Sequence, residues 1–198
     1  MKILAFVDMH GSKPALKKLL KKAEKENPDI IICAGDFTIF ERNMAPILLE
    51  LDLIGKPVLM IHGNHEDPRA LRESMSMFNN IIELHEKHHI FGDAVFIGYG
   101  GGGFSIIDPD FEKQQKNFEA MLKKGTKTIV VTHAPPYGTV LDLIQDQHCG
   151  NKTISEFIRK MQPDLLITGH LHENAGKRDM MGKTVIANPG PEGMVFEI

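Results

Sequence analysis

The chain has 198 residues, a formal net charge of -3 with neutral histidines, and 42% hydrophobic residues. These values are ordinary for a globular protein, and they exclude a disordered or fibrous chain. The slight acidic surplus also argues against broad binding to nucleic acids, which rests on an excess of lysine and arginine.

Short apolar runs alternate along the chain with longer segments of helical period, as expected for a sheet with helical connections. The predicted strands cover residues 3–7, 30–34, 58–61, 95–98, 128–131, 165–168 and 184–187. Most of them lack polar and apolar alternation, which is typical of strands that are buried on both faces. The pattern therefore predicts an α/β fold.

Four helices are predicted between these strands. They begin near Ser12, Asp67, Asp108 and Thr153, and a proline in the first turn supports the first three. The third helix is predicted to end near Gly125. The lysine-rich run over residues 17–25 falls in the first helix, where the helical spacing of apolar residues indicates a solvated helix face.

The tail of the chain differs from the rest. Residues 176–179, 181–182, 183–187 and 194–198 form short apolar or mixed segments that are separated by glycine and other turn-forming residues. We expect short strands joined by tight turns, which form an antiparallel edge or a second sheet.

The length favours a single domain over residues 1–198, without a separate cap domain. The apolar N-terminal stretch is too short for a signal-peptide core, and no apolar run elsewhere could span a bilayer. We therefore expect a cytoplasmic protein without a membrane partner. Cys33 and Cys149 form no C-x-x-C pair, so neither a disulfide framework nor a thiolate zinc site is indicated.

Five of the predicted strands are followed immediately by side chains that can bind metal ions. In chain order they are Asp8 and His10, Asp36, Asn64 and His65, His133, and His170 and His172. Because the carboxyl ends of parallel strands meet at one edge of a sheet, five strand ends would converge on one crevice. The glycines before Asp36, Asn64 and His170 suit a chain that must turn sharply out of the sheet without a Cβ clash.

The ligand types at these strand ends are carboxylate, imidazole and one amide. This set suits divalent manganese, iron, zinc, nickel or cobalt, and the absence of thiolate argues against structural zinc. Seven of these eight side chains, all except His65, can form two half-shells if one carboxylate bridges, and two-metal hydrolases hold their ions about 3.5 to 4 Å apart. The sequence therefore predicts a catalytic type of metal site.

Five motifs in this order resemble those of the calcineurin-like metallophosphoesterases. They are Asp8-x-His10, Gly35-Asp36, Gly63-Asn64-His65-Glu66, a lone His133, and Gly169-His170-x-His172. Each motif alone occurs by chance in many chains. The ordered set, with every member behind a predicted strand, is a strong signal.

The resemblance implies a four-layer αββα sandwich, in which two mixed sheets are flanked by helices. It also implies one ion on Asp8, His10, Asp36 and His172, and a second ion on Asp36, Asn64, His133 and His170. Asp36 would bridge two divalent ions, with Mn²⁺ the expected metal, and a hydroxide shared between them would attack phosphorus. His65 would then be the proton donor to the leaving oxygen.

The expected function is thus metal-dependent hydrolysis of a small phosphoester, either a phosphomonoester or a phosphodiester. One alternative is an interaction scaffold that has kept the fold and lost turnover, although His65 at the proton-donor position argues against it. A nuclease is a second alternative, but the chain has neither spare length nor a basic surplus for DNA. A protein-serine/threonine phosphatase is poorly supported, because Asp36 is followed by Phe37-Thr38-Ile39 and not by the Val-Asp-Arg-Gly that those enzymes carry. A homo-oligomer is compatible with the sequence.

The other histidines and a glycine-rich run are weaker candidates for the functional site. His62 is interpreted as a packed or supporting residue, and His85, His88 and His89 as a surface cluster. The segment from Gly98 to Gly103 satisfies G-x-G-x-x-G, but no helix opens at Gly103, so we interpret it as a loop near the metal cleft.

Two further groups of side chains stay open as substrate contacts. Tyr137 and His148 follow His133 and could line a substrate pocket. The arginines after the motif loops could bind phosphate, but ion pairing on helix surfaces is the preferred interpretation for Arg42, Arg69 and Arg72.

Overall fold

The computed structural model describes residues 1–122 and 125–198, and two large sheets dominate it. The first sheet contains β1 (Lys2–Phe6), β2 (Ile30–Cys33), β3 (Val58–Met60), β4 (Ile81–Glu83) and β13 (Met194–Glu197). Strands β1 to β4 are parallel and lie side by side in chain order, while β13 pairs antiparallel with β1. The parallel arrangement brings the carboxyl ends of β1, β2 and β3 to one edge.

The second sheet has six strands in the order β11-β12-β10-β7-β6-β5. They are β5 (Lys87–Phe91), β6 (Ala94–Tyr99), β7 (Lys127–Thr132), β10 (Leu165–Ile167), β11 (Arg178–Met181) and β12 (Thr184–Ala187). The four central strands are parallel, and antiparallel strands close both edges. A separate hairpin joins β8 (Leu143–Ile144) to β9 (Gln147–His148).

In the described part of the chain, five α-helices connect the strands. They are α1 (Lys13–Glu26), α2 (Met44–Asp52), α3 (Pro68–Met75), α4 (Pro109–Met121) and α5 (Lys152–Met161), and a short 3-10 helix covers His172–Asn174. Side chains of Ser12, Asp67, Asp108 and Asn151 accept hydrogen bonds from backbone N–H groups in the first turns of α1, α3, α4 and α5. These caps satisfy donors that have no partner within the helix, which fixes where each helix begins.

Three apolar clusters show how the elements are layered. One cluster packs α1, α2 and α3 against the outer face of the first sheet, and another packs α4 and α5 against the outer face of the second. Between the sheets lies a third cluster, in which Ile3, Ile32 and Leu59 meet Phe96, Ile129 and Ile167. The predicted αββα sandwich of two mixed sheets is therefore confirmed.

The predicted elements missed one helix and several short strands. Helix α2 was not predicted, although Met44, Ile47, Leu48 and Leu51 are buried at helical spacing. Asn43 at its start has left-handed backbone and offers no side-chain cap, so the usual sequence signal for a helix start is absent. Strands β4, β5, β8 and β9 were also missed, because they are short and in part polar.

The end of α4 and the tail also differ in detail from the predictions. Helix α4 ends at Met121 instead of near Gly125, and residues 123–124 lie outside the described part of the chain. The predicted tail strands are present as β11, β12 and β13, of which β11 and β12 pair antiparallel. Within the described residues, no helix has the length and apolar character that crossing a membrane requires.

Candidate metal centre

All eight predicted site residues lie at the ends of five strands, and both sheets contribute. Asp8, His10, Asp36, Asn64 and His65 follow β1, β2 and β3 of the first sheet, and His133, His170 and His172 follow β7 and β10 of the second. Among the described residues, the possible ligand atoms form three groups, and within each group the atoms lie within 4.8 Å of one another: Asp8, His10 and His172; His10, Asp36 and His65; and Asp36, His133 and His170. Asp36 is thus common to two neighbouring groups.

His133 is the most deeply buried member of the site, with no exposed surface. Its Nδ1 donates to the Ala34 carbonyl at 2.9 Å. Its Nε2 therefore faces two oxygens, Oδ2 of Asp36 at 3.3 Å and Oδ1 of Asn64 at 3.2 Å. A ring nitrogen in this position needs either a proton or a metal ion next to it, because its lone pair would otherwise face two acceptors.

A second pair of imidazoles meets on the other side of Asp36. The Nε2 atoms of His10 and His172 are 2.9 Å apart, and Nε2 of His10 lies 3.9 Å from Oδ2 of Asp36. Two ring nitrogens at this separation either share one proton or point at a common cation. Asp8 completes this side, and its Oδ1 is buried without a hydrogen-bond partner within the described chain.

The electrostatics of the site separate its two aspartates. Burial raises the pKa of Asp8 to about 6. Asp36 is also buried, but its hydrogen bond to His133 and the charge of that ring outweigh burial and lower the pKa of Asp36 to about 2. Burial lowers the pKa of His10, and it lowers that of His170 to about 4. His10 and His170 are therefore neutral near pH 7, the form in which imidazole binds a metal.

The backbone of the site is held in an unusual conformation. Asp8, His10, Asp36 and His170 all have positive φ angles, between 47° and 68°. Residues other than glycine rarely adopt this left-handed region, and such positions cluster where the surrounding structure enforces them for function. The conformation turns each side chain out of its strand and toward the crevice.

The glycines before the candidate ligands serve two different needs. Gly35 has a φ of 98°, as a sharp turn requires. Gly63 and Gly169 are needed for space, because a Cβ would lie 1.9 Å from Oδ1 of Asp36 or 2.1 Å from a methyl carbon of Val7. The expected sharp turn is therefore seen at Gly35, and the expected need to avoid a Cβ clash is confirmed at Gly63 and Gly169.

Glu66 supports the site although it offers no ligand, and its role was missed in the sequence. Its buried carboxylate accepts four hydrogen bonds of 2.8 to 3.0 Å, from the backbone N–H groups of Asp36, Thr38 and Gly63 and from the Thr38 hydroxyl. Burial raises its pKa even so. A glutamate directly after the candidate ligands Asn64 and His65 was the available signal, but its partners Asp36 and Thr38 are distant in sequence.

His65 lies at the mouth of the site. Its backbone N–H donates to Oδ1 of Asp36 at 2.9 Å, while its Nε2 is 4.0 Å from Oδ2 of the same residue. The His65 ring packs between those of His10 and Phe40, with centroid distances of 4.8 and 4.7 Å. His65 is therefore fixed next to the candidate ligands by both its backbone and its ring.

The glycine-rich segment lies beside the metal centre, in agreement with its interpretation from the sequence. Gly101 donates from its backbone to the His62 carbonyl, and Gly100 donates to Nδ1 of His85. His62 is buried and packs against the His85 ring at 4.4 Å, so its interpretation as a packed residue holds. The surface prediction for His85 was wrong, because this side chain is only 17% exposed; His88 is exposed and His89 half-buried.

The remaining candidates have contacts outside the metal centre. Nδ1 of His148 lies 2.7 Å from Oδ1 of Asp142, and the Tyr137 ring packs on the His148 ring. These contacts of Tyr137 and His148 are with residues outside the metal centre. Arg72 forms a salt bridge with Glu83, as predicted. Cys33 is buried in β2, and both cysteines are free.

The residues present fit divalent metal ions. Asp8 Oδ1 and His170 Nε2 are buried polar atoms without a hydrogen-bond partner in the described chain, which is costly unless a ligand satisfies them. Two divalent cations, one near each atom, would satisfy both, would replace the proton that Nε2 of His133 otherwise requires, and would favour the charged form of Asp8. The donor set of carboxylates, imidazoles and one amide is that of a catalytic metal site.

Comparisons with known proteins agree with this chemistry. A model of the calcineurin-like phosphoesterase family matches residues 1–174. The uncharacterized protein MJ1162 of Methanocaldococcus jannaschii is 30% identical over 204 residues, covering 97% of this chain and 89% of that protein.

Solved structures share the fold at lower identity. The protein TT1561 of Thermus thermophilus matches with a TM-score of 0.78 at 20% identity, over 96% of this chain and 90% of that one. A dimetal phosphatase from Danio rerio matches with a TM-score of 0.71 at 12% identity, over 94% and 86% of the two chains. The chain therefore belongs to the calcineurin-like phosphoesterase family, and it is a metal-dependent hydrolase of phosphoric esters.

Proposed function

We propose that this enzyme hydrolyses a small phosphoester at a centre of two divalent ions that share Asp36, with Mn²⁺ as the preferred metal. The observation that carries the proposal is the position of Asp36, which belongs both to the group with His10 and to the group with His133 and His170. A buried carboxylate of low pKa between two sets of imidazoles is suited to bridge two cations.

The two proposed ligand sets divide the site. One ion would be held by Asp8, His10, Asp36 and His172; the ligand atoms of Asp8, His10 and His172 form one close group, and those of His10 and Asp36 form another together with His65. The other would be held by Asp36, Asn64, His133 and His170; the short distances from Nε2 of His133 to both Asp36 and Asn64 support this set. Bound ions would polarise the phosphoryl oxygens and lower the pKa of water toward neutrality.

His65 is the proposed proton donor to the leaving oxygen. Its side chain is partly exposed at the mouth of the site, with Nε2 4.0 Å from Oδ2 of Asp36, while its Nδ1 is buried without a hydrogen-bond partner among the described residues. A donor in this place can reach the ester oxygen of a bound phosphoryl group. Asn64, the neighbouring residue, would fix the position of the donor relative to the second ion.

The direct test is hydrolysis of bis(4-nitrophenyl) phosphate and 4-nitrophenyl phosphate by protein loaded with Mn²⁺. The substitution Asp36→Asn removes the bridging charge, so we expect kcat to fall at least about 100-fold. Asp146→Asn changes an exposed aspartate in a turn and serves as the matched control. Equal activity in the Asp36→Asn variant would contradict the proposal.

The role of His65 has a separate signature. His65→Gln keeps a polar side chain but removes the acid, so activity on esters with poor leaving groups should fall about 100-fold or more. Nitrophenyl esters need little protonation of the leaving oxygen and should be affected much less. Unchanged rates on alkyl and aryl esters alike would remove His65 from the mechanism.

A further inference from the structure

Apolar side chains are exposed next to the proposed metal centre. Among the described residues, nine of the eleven phenylalanines are buried or half-buried, and the two exposed ones are Phe40 and Phe104, at 68% and 63%. Both rest on a histidine of the site: the Phe40 ring lies 4.7 Å from the His65 ring, and the Phe104 ring 4.4 Å from the His170 ring. Exposed aromatic side chains beside a polar site indicate a binding surface.

Phe40 is held in place despite backbone strain. Phe40 and Glu41 both have positive φ angles, of 46° and 62°, and such a conformation costs of order 1–3 kcal/mol for a residue other than glycine. The loop is anchored on both sides of the ring, because Thr38 binds Glu66 and Glu41 accepts from the N–H of Asp67 at 2.9 Å. The same segment that carries His65 therefore fixes Phe40.

Phe104 is held by the glycine-rich loop on the other side. Gly101, Gly102 and Gly103 have positive φ angles, and Gly101 is hydrogen bonded to the His62 carbonyl. Beyond the phenylalanine, the Ser105 carbonyl accepts from the Asn151 side chain at 2.7 Å. A ring that is exposed yet bracketed by fixed backbone is preorganised for contact with a ligand.

The two rings border different halves of the site. Phe40 rests on His65, which groups with His10 and Asp36, while Phe104 rests on His170, which groups with Asp36 and His133. A phosphoryl group centred near Asp36 would therefore have one apolar wall on each side. A phosphomonoester has one organic group, whereas a phosphodiester has two.

We propose that Phe40 and Phe104 form the two walls of the substrate site and that the substrate class is phosphodiesters with an apolar or aromatic group on each ester oxygen. This inference rests on the proposed function, because His65 as proton donor places the leaving group on the Phe40 side. Phe104 then contacts the group that stays on phosphorus.

Binding measured by calorimetry tests the apolar walls without turnover. We expect Mn²⁺-loaded protein to bind diphenyl phosphate more tightly than dimethyl phosphate, and Phe40→Ala or Phe104→Ala to reduce this preference about three- to tenfold each. Phe40→Leu should restore part of the preference. Leu53→Ala removes a side chain that is 71% exposed at the end of α2 and should leave the preference unchanged.

Turnover assigns each wall to one ester group. With methyl 4-nitrophenyl phosphate, the only aromatic group departs, so Phe40→Ala should lower kcat/KM about three- to tenfold, a larger loss than that caused by Phe104→Ala. With bis(4-nitrophenyl) phosphate, both variants should lose activity.

Two results would overturn the inference. One is an active enzyme whose alanine variants keep the full preference for aromatic esters; this leaves the proposed function intact. The other is a homodimer that dissociates on Phe40→Ala or Phe104→Ala, which would make these rings an interface between copies. Failure of the wild-type protein to hydrolyse any phosphoester would instead refute the proposed function itself.

Discussion

Glu66 fixes the relative positions of two ligand loops without offering a ligand atom. Each carboxylate oxygen accepts two hydrogen bonds, Oε1 from the Thr38 N–H and hydroxyl and Oε2 from the N–H groups of Asp36 and Gly63. The side chain is 5% exposed, so water does not replace these partners. The position of Asp36, and with it the proposed bridge between ions, depends on this buried acceptor.

The substitution Glu66→Gln tests this dependence. In either orientation, the glutamine NH₂ group would face two N–H or O–H donors, and unsatisfied buried donors cost about 1–3 kcal/mol each. We expect the free energy of unfolding to fall by about 2–4 kcal/mol in denaturant titrations, together with weaker Mn²⁺ binding.

Glu24→Gln, on the exposed face of α1, is the matched control and should behave as wild type. A Glu66→Gln protein with wild-type stability and wild-type metal affinity would show that the four hydrogen bonds do not position Asp36.

Single residues also mark the limit of what the sequence reveals. The metal-binding candidates were identifiable because each follows a strand in a recognisable order. The burial of His85 could not be predicted, because it depends on contacts with His62 and with the backbone of Gly100, which no local pattern encodes. Phe40 and Phe104 gave no signal either, since exposure of an apolar ring is a property of the folded chain.

At the level of elements, strand ends place the chemistry. The apolar strands were predictable within one or two residues, because β1, β2, β3, β7 and β10 are buried on both faces. Helix α2 and the polar edge strand β5 were missed, since an unusual start and a half-exposed position weaken the periodic signal. The missed elements contribute none of the eight predicted site residues.

The loop after β3 can be tested through Gly63. A Cβ at this position would lie 1.9 Å from Oδ1 of Asp36, so Gly63→Ala must displace either the carboxylate or the loop. Overpacking of this kind costs about 1–3 kcal/mol. We expect a loss of stability in that range and a loss of Mn²⁺ affinity of at least about tenfold in calorimetric titrations.

Gly55→Ala is the contrasting variant. Gly55 has a φ of 72°, but a methyl group added there would have no other atom within 4 Å, so alanine costs only backbone strain of about 1–2 kcal/mol. Its metal affinity should equal that of wild type. If Gly63→Ala also bound Mn²⁺ normally, Asp36 would not need the position that the structure gives it.

At the scale of the whole molecule, the site lies across the joint between the two sheets. Asp8, His10, Asp36 and Asn64 come from the first sheet, whereas His133, His170 and His172 come from the second. The apolar cluster between the sheets aligns their carboxyl edges. Each proposed ion would therefore bind residues from both sheets, which links the layered architecture directly to the assembly of the centre.

Anomalous diffraction from crystals grown with Mn²⁺ tests the central claim most directly. We predict two manganese peaks about 3.5 to 4 Å apart, with the Asp36 carboxylate between them, Asp8 and His172 on one ion, and His133 and His170 on the other. A single peak, or two peaks that do not share Asp36, would contradict the account.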